Sequence, residues 1–145
     1  MSRALSGRDG VWLHSSVDGD RKVLALARRA EAYFIKHGYV PYKILHEWHP
    51  AVVVWESGEP VGVIVYNDAD TFVNLTVVYV KPSRRGKGYL RSMLHQVPID
   101  KPLAWSVHVE NTKAILAYLR VGATAVRVSD DGIVCSYDRR ALGLY

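Results

Sequence analysis

The sequence predicts a mixed α/β domain, α+β-like in layout: a central, mostly antiparallel sheet of six to seven strands with one parallel pair, flanked by helices. Three observations predict it. Runs of β-branched and aromatic residues of strand length recur along the chain, most of them joined by short polar turns that allow only antiparallel pairing. Residues 20–37 and 112–121 repeat their apolar positions at helical spacing. A further helical pattern separates the strand at 73–80 from the strand at 103–109, so those two must run parallel.

In chain order, Val11–Leu13 reads as a short first strand. From Asp20 to His37, Val23, Ala27, Ala30 and Phe34 share one helix face, basic residues cover the rest, and Gly38 supplies the stop. Residues 39–50 carry two prolines, three aromatics and two histidines, a loop with room for one irregular turn. Ala51–Trp55 and Val61–Asn67 flank Ser57-Gly58-Glu59-Pro60, a hairpin signal. The strand 73–80 follows Asp68-Ala69-Asp70 and extends the meander. Leu90, Met93, Leu94 and Val97 then fall at i, i+3, i+4 and i+7, a helix ended by Pro98. After the strand Leu103–Val109 comes a helix from Thr112 to Val121, capped by Asn111 or Thr112 and stopped by Gly122. Ala123–Val128 and Ile133–Tyr137 close the domain as a hairpin over Ser129-Asp130-Asp131-Gly132.

With 145 residues, 49% of them apolar, the chain reads as a single domain, 1–145, with enough material for a proper core. Residues 1–30 hold no sustained apolar segment of the kind a signal peptide needs, and the longest apolar runs are too short to span a bilayer. The lone Cys135 excludes an intramolecular disulfide and fits a reducing cytoplasm. Flanked by Ile133 and Val134, it reads as a buried strand residue. The net charge of +5 favours a polyanionic partner: a phosphorylated cofactor, a nucleic acid or an acidic protein.

The most informative stretch is Val80-Lys81-Pro82-Ser83-Arg84-Arg85-Gly86-Lys87-Gly88-Tyr89-Leu90. Strand, basic glycine turn and helix follow one another. That order aims main-chain N–H groups and the positive end of a helix dipole at one spot, suited to a phosphate or pyrophosphate. A second pattern, Asn111-x-x-Ala114-x-x-x-Tyr118-x-x-x-Gly122, puts Ala114 and Tyr118 on one face of the next helix.

Together these two motifs, about 25 residues apart, resemble the GCN5-related N-acetyltransferase (GNAT) family, and the element order from Ala51 to Tyr137 is similar to that family's fold. The resemblance implies acetyl-CoA as cosubstrate and a parallel strand pair that splays at its site. By the same resemblance, Val78, Tyr79 and Val80 would pair their backbone with the pantetheine arm. Arg85, Gly86, Lys87, Gly88, Tyr89, Leu90 and Arg91 would wrap the pyrophosphate. Asn111 would hold the pantetheine or thioester region, and Lys113 would reach a CoA phosphate. Tyr118 would stand near the sulfur. Two positions depart from the family pattern: Leu90 where Gly or Ala is usual, and Ala123 where an aromatic is common.

Acetylating an amine needs a neutral acceptor, donors for the tetrahedral oxyanion and a proton for the departing thiolate. A backbone N–H near Val78 suits the second need. A phenol, protonated at pH 7, suits the third, so Tyr118 is the candidate acid. Where some protein-acetylating relatives carry a glutamate, five residues before the asparagine, this chain has Ser106. His108 is the remaining candidate base, directly or through water, set against a plain strand-end hydrogen-bonding role. The absence of an obvious base leans toward an amine of low pKa or a proton relayed through water. His46-Glu47-Trp48-His49 has H-E-x-H spacing, not H-E-x-x-H, and no third ligand is evident, so no metal site is expected. By the resemblance, the 39–50 loop would border the acceptor site, so Tyr39, Tyr42, Trp48 and His49 are candidate acceptor contacts, set against simple packing roles. Arg21, Lys22, Arg28 and Arg29 read as a solvated basic face.

The reading is therefore a cytoplasmic N-acetyltransferase moving acetyl from acetyl-CoA to a primary amine of a protein or small molecule by direct attack in a ternary complex. It expects no membrane association and leaves room for a homodimer. The rivals are a GNAT-fold binding or interaction protein with lost or weak transfer, and a basic nucleic-acid binder. The second has no recognised motif behind it.

Overall fold

Asp20 begins the first helix, α1 (Arg21–Lys36), by accepting hydrogen bonds through its carboxylate from the amides of Lys22 (2.8 Å) and Val23 (3.3 Å). The computed structural model describes residues 8–130 and 132–140, so Asp131 of the expected closing turn lies outside the described residues. Before α1 stands β1 (Gly10–His14), and after it come β2 (Ala51–Glu56), β3 (Glu59–Asp68) and β4 (Val73–Val80). The glycine turn leads into α2 (Tyr89–Gln96), then β5 (Leu103–His108), α3 (Thr112–Val121), β6 (Thr124–Val128) and β7 (Gly132–Tyr137). Single 3-10 turns at Val17–Gly19 and Pro82–Arg84 complete the list. Residues 39–50 form no helix: Glu47 and Trp48 sit in a tight turn closed by the His49 amide on the His46 carbonyl, 3.0 Å.

The described strands form one seven-stranded sheet in the order β1-β2-β3-β4-β5-β7-β6. The β4–β5 pair is parallel and the other pairings are antiparallel. The β2–β3 hairpin turns on Ser57 and Gly58, both at positive φ (49° and 83°), which matches the twist of the flanking strands. The closing hairpin places β7, not β6, beside β5.

Helices cover both faces of the sheet, which is why β2 buries five consecutive residues, Ala51 to Trp55. On one face, Val23, Leu26, Ala27 and Ala30 of α1 pack on Val53, Val63, Val65 and Val77. On the other, Met93 and Leu94 of α2 and Tyr118 of α3 join Val52, Ile64, Leu75, Leu103 and Trp105. Met93 lies so close to β3 that a Cβ on Gly62 would come within 3.1 Å of its Cε. Burying that one side chain contributes about 2 kcal/mol. Cys135 is buried in the sheet, as its neighbours implied, and burial pushes its thiol pKa up. Among the described residues, no helix is long and apolar enough to cross a membrane.

Candidate active site

β4 and β5 pair only at Val73–Leu103 and Asn74–Ala104, then separate. Beyond that point the β5-facing edge of β4 has no strand partner among the described residues. The Lys81 amide bonds the Val61 carbonyl (2.8 Å), so odd-numbered residues at this end of β4 face β3. The main-chain groups of Val78 and Val80 consequently face the gap. The pairing of β3 with β4 also slips between Val65–Val77 and Tyr66–Leu75, leaving Thr76 as an extra residue. This bulge turns the strand over: Val73 and Leu75 join the α2–α3 core, Val77 and Tyr79 the α1 core.

At the mouth of the gap the chain runs through Gly86 (φ 81°) and Gly88 (φ 80°) into α2. Positive φ at both positions selects glycine. A Cβ on either would meet no protein atom within 4 Å, so the space above the turn is open. Lys87 and Arg91 are exposed around it. Leu90 is half-buried and packs toward the α2–α3 core. Tyr89 turns its hydroxyl away from the opening to donate to Oε2 of Glu56, while Arg84 Nε donates to the same carboxylate at Oε1, 2.5 Å. Glu56, at the end of β2, thereby ties down both sides of the glycine turn. The Tyr89 bond first, and the Arg84 bonds second, hold its pKa below the ordinary carboxylate value; the same contact raises that of Tyr89. Arg85 folds back toward the gap, donating from Nε to the Val80 carbonyl (2.9 Å) with its guanidinium 5.7 Å from the Tyr79 ring centre.

Between the splayed strands lies a small cleft of about 60 Å³ that opens to solvent. Val78, Thr76, Trp105, His108, Asn111 and Tyr118 are among its walls, and Phe34, Tyr39, Val40 and Ile44 close it on the α1 side. Tyr118 is buried, its ring edge-on to Trp105 with centroids 5.2 Å apart. Burial first, and proximity to Cys135 second, push its phenol pKa well above the usual value. The Trp105 Nε1 has no hydrogen-bond partner among the described residues. Asn111 stands at the α3 N-cap, but its side chain makes no capping bond to the helix. Its carbonyl accepts from the Ile115 amide (3.1 Å), and its side chain is left to the cleft it lines.

His108 is half-buried at the end of β5, its ring 5.7 Å from that of Tyr39. Its Nδ1 accepts the Glu110 amide, 3.1 Å. With that lone pair occupied, the neutral ring carries its proton on Nε2. Lys113 is exposed on the first turn of α3 and is not among the residues lining the cleft, and Ser106 is an exposed wall residue. Tyr42 and Trp48 are largely exposed and, like His49, are not among the lining residues. His46 and His49 lie with ring centres 4.9 Å apart, yet no cluster of three potential metal ligands exists among the described residues.

Sequence reasoning missed three side chains that hold the site in place. Glu56 is one. Glu31, buried on α1, accepts the amides of Ile44 and Leu45 through Oε2, both at 2.6 Å, and so fixes the loop that closes the cleft. Arg139, also buried, donates to the carbonyls of Leu94 (3.3 Å), Val97 (2.6 Å), Ile99 and Lys101 (3.5 Å), bracketing the segment from α2 into β5. Glu31 carried a faint signal, falling one place after Ala30 on the apolar face of α1.

The family model described as the acetyltransferase (GNAT) family matches residues 22–123. No curated protein matches the sequence. Among solved structures, the fold is similar to the PaiA N-acetyltransferase of Thermoplasma acidophilum in complex with coenzyme A (TM-score 0.65, 12% identity, 88% of this chain and 98% of that one). It is similar also to yncA of Salmonella typhimurium with its cofactor acetyl-CoA (TM-score 0.62, 16% identity, 88% and 93%). An acetyltransferase of Thermus thermophilus gives TM-score 0.63 at 16% identity, covering 88% and 96%. With the glycine turn, the splayed parallel pair and the asparagine–tyrosine helix in one fold, and the family model spanning most of its length, this chain belongs to the GNAT acetyltransferase family.

Proposed function

We propose that this single domain is an N-acetyltransferase that moves the acetyl group of acetyl-CoA to a primary amine by direct attack in a ternary complex. The observation that carries the reading is the convergence of three features on one gap: the open glycine turn, the unpaired edge of β4, and a cleft holding Asn111 and Tyr118. These residues fit the cosubstrate. The main chain of Val78 and Val80, with Tyr79 between them, would pair with an extended amide arm, as another strand would. Amides from Arg85 through Arg91, with the charge of Lys87 and Arg91, would receive the diphosphate. Asn111 has a spare side-chain amide for the pantetheine, and Lys113 is free to reach an outlying phosphate.

Acetyl-CoA when bound supplies an activated thioester carbonyl. The chain's own part is positioning and proton handling. A β4 amide near Val78 faces the gap and would donate to oxygen as negative charge grows there. Tyr118, its pKa raised by burial, keeps its proton throughout the physiological range. It would donate a hydrogen bond toward the sulfur as negative charge grows there; because its pKa lies above that of a thiol, the phenol keeps its proton and the released thiolate takes one from water. His108 presents Nε2–H while Nδ1 holds the Glu110 amide, so we assign it an orienting role; acting as base would require releasing that amide. The amine's proton would then leave through water, with no side-chain base acting on it directly.

The test is calorimetry with acetyl-CoA, followed by release of free CoA in the presence of mixed amines. Binding with amine-dependent release supports transfer. Binding without release across peptides, polyamines and simple amines would favour the rival, a GNAT-fold binding protein.

A further inference from the structure

Resting on the reading that acetyl transfer to an amine takes place in this cleft, we infer that the acceptor is a single amine carried on an apolar or aromatic body, not a polycation. Phe34, Tyr39, Val40 and Ile44 form the wall opposite the cofactor side, and among the described residues no aspartate or glutamate lines the cleft. Carboxylates that lie near this wall in sequence are engaged or turned away. Glu31 spends Oε2 on two loop amides. Glu47 pairs with Arg28 at 2.5 Å. Glu110 is 79% exposed, its carboxylate 4.0 Å from His108 Nδ1.

What the wall offers instead is flat ring surface. Tyr39 and His108 line the cleft with ring centroids 5.7 Å apart, and outside the lining His37 backs Tyr39 at 5.7 Å with Tyr33 4.2 Å beyond it. His37 and Tyr39 are stacked, with 23° between their planes. Such faces accept a ring or an apolar chain by offset stacking. A tyrosine face attracts one ammonium, and that helps the reacting amine enter. A second ammonium on the same molecule would lose water with no carboxylate to replace it, and Arg85 already puts positive charge beside the gap. The opening therefore discriminates against spermidine-like or lysine-rich acceptors by omission of the charges that would bind them.

The experiment compares 2-phenylethylamine with spermidine as acceptors for the full chain, reading CoA release and, by calorimetry, binding of each amine to the CoA-loaded protein. We expect kcat/KM for 2-phenylethylamine to exceed that for spermidine at least tenfold. Val40→Asp, and independently Tyr39→Glu, should lower that ratio at least tenfold, mainly through KM. Equal or better use of spermidine or of a lysine-rich peptide overturns the inference, as does failure of 2-phenylethylamine both to bind and to react. In each of those cases acetyl-CoA binding still stands, whereas no calorimetric binding of acetyl-CoA removes the transferase reading and this inference together.

Discussion

Replacing Gly88 by alanine separates the turn's conformational demand from its ligand demand. Gly88 sits at φ 80°, ψ 11° as the residue capping α2. An L-residue there costs about 1–2 kcal/mol. No steric term adds to this, because the new Cβ meets no protein atom within 4 Å. For a chain of this size each kcal/mol lowers Tm by roughly 3 °C, so the expected drop is about 3–6 °C. The effect on CoA should be larger. The methyl group would stand where main-chain amides converge, and losing one charge-assisted amide bond costs about 1.5–3 kcal/mol, roughly ten- to a hundredfold in Kd. Calorimetry with CoA and thermal unfolding of the free protein measure the two effects separately. Gly38→Ala is the control, with the same strain (φ 73°) and the same open surroundings but at the end of α1. It should lower Tm comparably and leave Kd unchanged. If Gly88→Ala lowers Tm while Kd moves less than threefold, the diphosphate does not sit on this turn.

Tyr118→Phe should lower kcat at least tenfold while CoA affinity changes less than twofold; equal losses in both would make the phenol structural. Because burial raises the Tyr118 pKa, the rate should climb with pH as the amine deprotonates and show no falling limb from this residue below pH ~10. Arg139→Met leaves several carbonyls between α2 and β5 without their buried donor, and urea unfolding should report a loss of about 3 kcal/mol; a loss under 1 kcal/mol would contradict the bracketing role. Glu56 titrates below the ordinary glutamate value in the folded chain, so its stabilisation is present above that ordinary value and is lost as pH falls through the lowered folded one. Acid unfolding of Glu56→Gln should therefore be flatter in that region than wild type, and its CoA affinity at pH 7 lower.

The strands and helices were legible because their stops are local: Gly58, Pro82, Pro98 and Gly122 each end an element within a residue or two of the expected place. Both GNAT motifs are short-range patterns, so the glycine turn and the α3 face could be read without knowing what packs against them. The bulge at Thr76 could not. Val73, Leu75, Val77 and Tyr79 are all buried, as simple alternation predicts, yet the first two face one core and the last two the other. Only the pairing with β3 reveals the switch. Glu56 and Arg139 were invisible for a related reason: their partners lie 28 to 45 residues away along the chain. For His108 the sequence offered both a base and a plain hydrogen-bonding role, and only the three-dimensional structure shows the Glu110 amide on its Nδ1.

The position of β7 bears on how the molecule is made. Because β7 inserts between β5 and β6, the strand that walls the cleft has no neighbour on its outer edge until residues 132–137 have been synthesised. Arg139, which fastens the approach to that strand, comes later still. A ribosome-bound chain stalled after α3 would thus carry both sequence motifs and still lack a rigid cleft. The frame of the cleft is completed late in the sequence, by residues outside both motifs.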